Sequence, residues 1–162
     1  MGRERIAGMV GVCLSAAGAL AILLVSLVPP AAQADQAYHT HHYAFTSVSG
    51  ASLRSGFVEN IHANGPNVYA HEIYMLNGAA ANASYRVVLS IWASNLTCSG
   101  TPDLRFQTAV LTTNRAGNGI AQHVFSPQDA DGLRGHTVSA MWQLLAGSSV
   151  IYQTRCETIT LD

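Results

Sequence analysis

Apolar and polar residues alternate along most of the chain after residue 35. A period of two places successive side chains on opposite faces of a strand, and β-branched and aromatic residues suit a half-buried, pleated surface. The alternation therefore predicts strands in four long stretches of the sequence. The residues that share one face of each stretch are Val68, Ala70, Tyr74 and Leu76; Tyr85, Val87, Leu89 and Ile91; Leu104, Phe106 and Val110; and Val138, Ala140, Trp142 and Leu144.

Turn-forming residues separate these stretches at intervals that are typical of an all-β domain. Residues 64–67 (Asn-Gly-Pro-Asn) separate a run at 56–63 from the one at 68–76, and residues 114–119 (NRAGNG) predict a six-residue hairpin connection. Gly147 and the following serine predict a two-residue turn, with glycine at the central position that needs a positive φ. A Ser-Pro pair at 126–127 is the one helix-start signal. We therefore predict an all-β fold: a single antiparallel β-sandwich of about eight strands with one helical turn.

The stretch LNGAAANASYRVVL (residues 76–89) resembles a segment of fibronectin-type and other immunoglobulin-like sandwiches, in which a tyrosine begins a central strand. The resemblance implies that the hydroxyl of Tyr85, the matching residue, bonds back to the chain and fixes a corner. The TTNRAGNG stretch is similar to a hairpin that is common in bacterial surface sandwich modules. The whole chain resembles uncharacterised small secreted proteins of high-GC bacteria, which agrees with its lack of lysine. These likenesses imply an immunoglobulin-like fold and assign no ligand.

The N-terminal residues have the layout of an export signal. Arg3 and Arg5 precede an uncharged apolar run at 6–28, two prolines follow, and residues 32–34 (Ala-Gln-Ala) fit a signal-peptidase site. We therefore predict that residues 1–34 are a signal peptide, cleaved after Ala34. An uncleaved membrane anchor is the alternative, since the apolar run is long enough to span a bilayer.

Cleavage would leave residues 35–162, with six arginines, eight acidic residues and a formal charge of −2. This length suits one domain, in which residues 35–55 form a histidine-rich arm and the first strand, and residues 56–162 form the remainder of the same sandwich. The near-neutral charge excludes a strongly basic nucleic-acid-binding protein. No second apolar run is long enough for a membrane span, so we expect a secreted or cell-envelope location.

Two cysteines remain after the predicted cleavage, Cys98 and Cys156. Disulfides form in the oxidising compartments that exported proteins reach, and two cysteines allow only one pairing. We therefore predict a Cys98–Cys156 disulfide rather than a thiolate site.

Three histidines lie close together in the run YHTHHY at residues 38–43. On a strand, the first two would share one face and the third would lie on the other. Imidazole pairs at this spacing suit Zn²⁺ or Cu²⁺, which need a third and usually a fourth ligand. The alternative is an exposed polar arm. The candidate metal ligands are therefore His39, His41 and His42, completed by a choice among His62, His71, Glu72, His123 and His136.

The sequence has no G-x-S-x-G, H-E-x-x-H or P-loop motif, and no catalytic residue is predicted. Trp92, on the more exposed-looking face of its strand, suggests carbohydrate binding as a further alternative, whereas Trp142 is assigned to the core. An acid–base pair is the other alternative, although the carboxylates are scattered: Glu59, Glu72, Asp103, Asp129, Asp131 and Glu157.

We therefore expect a secreted or envelope-associated, non-catalytic binding or interaction module. Its partner would be an envelope or extracellular ligand, with no nucleic acid and no cofactor. The main alternative is a secreted protein that binds Zn or Cu through the N-terminal histidine cluster, and an enzyme without metal ranks third.

Overall fold

Two antiparallel sheets make up the computed structural model, which describes residues 38–63, 70–126, 128–129, 131–133 and 135–161. The predicted signal peptide, residues 1–34, and the predicted turn at 64–67 lie outside these residues. The ten strands are β1 (Tyr38–Ala44), β2 (Thr46–Ser47), β3 (Ser55–Ala63), β4 (Ala70–Asn77), β5 (Ser84–Trp92), β6 (Leu104–Thr112), β7 (Gly119–Val124), β8 (His136–Ala146), β9 (Ser149–Gln153) and β10 (Glu157–Leu161).

The prediction of an all-β, antiparallel fold is confirmed, but the described residues form ten strands rather than about eight. One sheet has the order β1-β3-β4-β7, and the other has the order β2-β9-β8-β5-β6, with β10 also paired to β8. The N-terminal segment contributes two strands because it changes sheets at Phe45: Ala44 pairs with β3, and Thr46 pairs with β9. The C-terminal segment adds β10, which pairs with the first half of β8, while β9 pairs with the second half.

The core lies between the inner faces of the two sheets. The alternation predicted for β5 and β8 is confirmed, because all eight residues of those two patterns are at most 5 % exposed. Burying aliphatic and aromatic side chains of this size stabilises a fold by roughly 1.5–3 kcal/mol each. All the described residues belong to one compact unit, Ala34–Asp162.

The alternation predicted for β6 fails in its second half. Leu104 and Phe106 pack against the core, but Val110 is 53 % exposed and Leu111 is fully buried in its place. The reason is a β-bulge: Val87 pairs with Ala109 and Val88 with Gln107, which leaves Thr108 as an extra residue. The extra residue shifts the side chains beyond it to the opposite face.

The prediction of a hairpin at residues 114–119 is wrong. β6 pairs with β5 and β7 pairs with β4, so this connection carries the chain from one sheet to the other. Its tip is tied to the β4–β5 connection, because Ala79 N donates to Gly117 O at 3.0 Å. Gly117 has a φ of 75°, and a Cβ there would lie 2.1 Å from Ala79 O, so only glycine fits.

Shorter features agree with the sequence more closely. Gly147 has a φ of 60° in the two-residue turn between β8 and β9, as predicted. The only helix among the described residues is a 3-10 turn, Asp131–Leu133, which follows the predicted helix start. No helix in that part of the chain has the length and hydropathy that crossing a bilayer requires. Cys98 and Cys156 form the predicted disulfide, with their Cα atoms 5.6 Å apart.

Candidate functional site

A polar cluster centred on Glu72 lies between the two sheets. Glu72 is on the inner face of β4 and is only 1 % exposed. Its Oε2 accepts hydrogen bonds from Trp142 Nε1 on β8, at 2.9 Å, and from the hydroxyl of Tyr74. Its Oε1 accepts from Asn60 Nδ2 on β3, at 3.1 Å. Both carboxylate oxygens are therefore satisfied, and one side chain connects three strands from both sheets.

The bulge in β6 adds a fourth group to this Glu72 cluster. Thr108 Oγ1 lies 2.7 Å from the hydroxyl of Tyr74 and 3.5 Å from Val87 O. When Glu72 is ionised, the Tyr74 hydroxyl donates its one hydrogen bond to the carboxylate, and the Thr108 hydroxyl donates to the Tyr74 oxygen. When Glu72 is protonated, the carboxyl can donate to Tyr74, which then donates to Thr108, and Thr108 to Val87. The cluster therefore has a complete hydrogen-bond arrangement for either protonation state.

Burial dominates the electrostatics of this cluster. It raises the pKa of Glu72 to about 7, although hydrogen bonds from Tyr74, Trp142 and Asn60 act in the opposite direction. Burial first, and then the adjacent Glu72, hold the pKa of the Tyr74 phenol far above its ordinary value. Tyr43, whose ring stacks on Trp142 with centroids 5.0 Å apart, has a pKa raised to about 12, mainly by burial. The cluster can thus take up one proton near neutral pH inside the core.

Glu72 was predicted only as one of several scattered carboxylates and as one of the residues that could complete a metal site, and its central position was not foreseen. The sequence does indicate a special position for Glu72, because on a strand its side chain shares one otherwise apolar face with Ala70, Tyr74 and Leu76. A carboxylate at such a position needs donors in the core.

The predicted metal ligands are spread over both faces of β1. The His42 ring lies on the outer side, with Nε2 3.3 Å from Glu59 Oε1 and its centroid 4.9 Å from that of Phe57. His41, the cross-strand partner of buried Asn60, stacks on Tyr43 with ring centroids 6.1 Å apart. His41 and His42 therefore point away from each other.

The remaining candidate ligands lie elsewhere. His71 Nε2 lies 3.2 Å from Gln122 Oε1, and the His123 ring packs edge-on against Phe125 with centroids 4.5 Å apart. The side chains of His39 and His62 lie outside the described residues. Within the described part of the chain, no three His, Cys, Asp or Glu side chains come together in a group that could hold a metal ion.

The outer face of the four-stranded sheet is unusually apolar. Residues that pair across antiparallel strands share a face, so the pairing defines three rows across this surface. Met75 is 38 % exposed, Ile120 64 % and Val124 57 %, so half of the six exposed large apolar side chains of the described residues lie on this surface. We call it the outer face; its rows are Phe57, Met75 and Ile120; His42, Glu59, Ile73 and Gln122; and Thr40, Ile61, His71 and Val124.

The corresponding side of the other sheet is covered where the sequence suggested carbohydrate stacking. Trp92 is only 6 % exposed, and its Nε1 donates to Gly100 O at 3.3 Å. Ser139 Oγ on the neighbouring strand donates to Asn95 O at 2.7 Å, and the disulfide through Cys98 ties the same loop to Cys156. Trp92 is therefore a filler beneath the 93–103 loop and presents no ring to a sugar.

The residues predicted to be structural lie in the core. Tyr85 is 2 % exposed and packs edge-on against Tyr152, with ring centroids 5.6 Å apart. Tyr152 hydroxyl donates to Ser52 O at 2.7 Å, which fixes the segment before β3. Trp142 is fully buried and belongs to the Glu72 cluster.

Comparison with known proteins adds no relative: no protein-family model, no curated protein and no solved structure matches this chain.

Proposed function

We propose that the protein is an exported, immunoglobulin-like, non-catalytic interaction module that binds a protein partner through the outer face. The observation that carries the proposal is a set of apolar side chains on one sheet surface that the described residues leave exposed or half-exposed: Phe57, Ile73, Met75, Ile120 and Val124. Contiguous exposed apolar patches on a soluble domain typically mark interaction sites.

The charge of the outer face favours a protein partner. Its only formally ionisable side chains are one glutamate and two histidines, and Glu59 and His42 already pair with each other at 3.3 Å. An anionic polymer would require arginine or lysine on this surface, and neither residue occurs in the three rows. A neutral apolar surface instead matches a partner with its own apolar side chains and few charges.

The strand order supports the immunoglobulin-like part of the proposal. If the strands from β3 to β9 are lettered A, B, C, C′, E, F and G along the chain, the order β6-β5-β8-β9 becomes C′-C-F-G. The order β3-β4-β7 becomes A-B-E, as in an immunoglobulin domain. The Cys98–Cys156 disulfide supports export, because such bonds persist in oxidising compartments. With these assignments, β1, β2 and β10 are additions to the sandwich.

Site-specific photo-crosslinking in the producing cells tests this proposal. A photo-reactive amino acid at Met75, on the outer face, should give one discrete protein adduct that excess unlabelled protein competes away. The same amino acid at Val110, exposed on the other sheet, is the matched control and should give none. Equal labelling from both positions, or no adduct from Met75, would overturn the proposal.

A further inference from the structure

Arginines, which the outer face lacks, lie on the other sheet, on the side that faces away from the core. Residues that pair across antiparallel strands share a face, so the pairing defines three rows on this side. Extending the β9 register by two residues places exposed Arg155 beside Met141, at the end of one row. We call the three rows together with Arg155 the arginine face; the rows are Val110, Arg86, Leu145 and Val150; Gln107, Val88, Gln143 and Gln153; and Arg105, Ser90 and Met141.

All the formal charge in these rows is positive. The arginine face holds three of the six arginines of residues 35–162, a segment with a formal charge of −2, and its rows include no Asp or Glu. Carboxylates of neighbouring segments are turned elsewhere. Asp103 Oδ2 accepts a hydrogen bond from Ala93 N in the 93–103 loop, at 2.8 Å, and Glu157 lies on the inner side of its sheet. A positive face on a negatively charged domain attracts anions.

The three arginines are widely spaced. Arg86 and Ser90 lie four residues apart on β5, which corresponds to about 13 Å, and Arg105 pairs with Ser90. Arg105 and Arg155 are separated by three strand spacings, or about 14 Å. Arg86 Nη2 donates to Gly147 O at 2.7 Å, which holds this guanidinium at the β8–β9 turn and leaves its other N–H groups for a ligand.

Glutamine amides occupy the space between the arginines. Gln143 Nε2 donates to Gln153 Oε1 at 3.3 Å, and exposed Gln107 lies in the same row. An amide offers both donors and an acceptor, so it can bond a hydroxyl group in either direction. Val88, within this row, is nearly buried, so the row is flat rather than hollow. The arginine face therefore suits an extended ligand with hydroxyl groups and widely spaced negative charges.

We propose that the arginine face binds an acidic polysaccharide, in which carboxylate-bearing sugars alternate with neutral ones. The arginines would pair with the carboxylates, and the glutamine amides would bond the hydroxyl groups between them. A nucleic acid fits this face less well. Its phosphates are only about 3.4 Å apart along each strand, and the three rows offer no aromatic ring on which a base could stack. The arginine face is distinct from the outer face, so this inference does not rest on the proposed function.

Calorimetric titration of the purified protein with hyaluronate, a polymer of alternating acidic and neutral sugars, tests the inference. Wild type should bind at low ionic strength, should bind more weakly as salt is added, and should not bind neutral dextran. Arg105→Gln and Arg155→Gln should each weaken binding by about two- to fivefold, because one exposed ion pair is lost. The triple variant that also carries Arg86→Gln should lose at least about tenfold. Arg105 and Arg155 are exposed, so these two substitutions leave the core intact.

Arg115→Gln is the matched control, because Arg115 is exposed in the connection between β6 and β7, outside the arginine face. It removes the same charge and should bind hyaluronate like wild type. Three results would each overturn the inference: no binding by wild type, equal affinities of Arg105→Gln and Arg115→Gln, or tighter binding to single-stranded DNA or phosphatidylglycerol vesicles than to hyaluronate. The outcome is separable from the proposed function, since the Met75 adduct should form equally in wild type and in the arginine variants.

Discussion

Glu72 on one sheet accepts a hydrogen bond of 2.9 Å from the indole of Trp142 on the other. The carboxyl is 1 % exposed, and its side-chain donors are all neutral. The His42–Glu59 pair, by contrast, lies on the outer face. Ionised Glu72 is therefore solvated by dipoles alone, which explains why burial dominates its pKa.

Stability should depend on pH through this carboxyl. The pKa of Glu72 rises from an ordinary 4.5 to about 7 on folding, so between these values the folded state holds a proton that the unfolded state has lost. The free energy of unfolding should therefore be highest below pH 4.5 as far as this group is concerned, and should fall by about 3 kcal/mol as the pH rises through 7.

Glu72→Gln isolates this contribution. The glutamine oxygen can accept hydrogen bonds from Trp142 and Tyr74. The glutamine NH₂ group can donate to Oδ1 of Asn60, once the side-chain amide of Asn60 has rotated by a half-turn. Urea unfolding at several pH values should show that the free energy of unfolding of the variant rises relative to that of wild type between about pH 5 and about pH 8. The groups facing this site, Tyr43, Tyr74, His123 and the more distant Glu157, are common to both proteins. Parallel curves for the two proteins would contradict the account.

Removing the phenol of Tyr74 should act on both stability and pH dependence. Tyr74→Phe deletes a donor to Glu72 and leaves Thr108 with only its longer contact to Val87 O, which should cost about 1–3 kcal/mol. The loss of that donor should also raise the pKa of Glu72, so the pH at which stability falls should move upward. Tyr152→Phe, which removes the bond to Ser52 O, is the control: it should lower stability without moving that pH. A shared shift in both variants would show that Tyr74 has no special link to Glu72.

Reduction of the Cys98–Cys156 disulfide should destabilise the fold. It closes a loop with a sequence separation of 58, which corresponds to about 4 kcal/mol on the chain-entropy model. Guanidinium unfolding with and without reductant measures the difference, and the Cys98→Ser/Cys156→Ser double variant should not respond to reductant. Mass spectrometry of the exported protein should find no free thiol; two free thiols would remove the argument for an oxidising compartment.

Chelator should leave the fold and its melting temperature unchanged. His41 and His42 lie on opposite faces of β1, and His42 already pairs with Glu59. Elemental analysis of the purified protein should find less than stoichiometric zinc or copper. A bound equivalent of either metal that disappears in a His39→Ala/His41→Ala variant would instead support the metal-binding alternative.

The inner faces of β5 and β8 could be predicted because the alternation of their side chains is uninterrupted. The prediction failed in β6, because the bulge at Thr108 moves the following side chains to the opposite face of the strand. No residue in the local sequence indicates a bulge at this position. The connection at 114–119 was misplaced for a related reason: turn residues reveal a reversal of the chain but not which sheet receives the next strand.

The candidate site, like the fold, could be predicted from the sequence only in part. The parity of Glu72 could have been read from the chain, but two of its three donors, Asn60 and Trp142, are 12 and 70 residues away and meet it only through the sheet order. The outer face depends on register as well, because Met75 and Ile120 are brought together only by the β4–β7 pairing. Neither arrangement follows from local pattern.

We propose that the partner binds through the outer face. Once the Met75 adduct identifies the partner, calorimetric titration of this protein with the purified partner measures their binding affinity directly. Met75→Arg, which buries an unpaired charge in the interface, should weaken binding by at least about tenfold, or about 1.4 kcal/mol. Val110→Arg, on the other sheet, should bind like wild type. Equal affinity of the Met75→Arg protein and wild type would contradict the account.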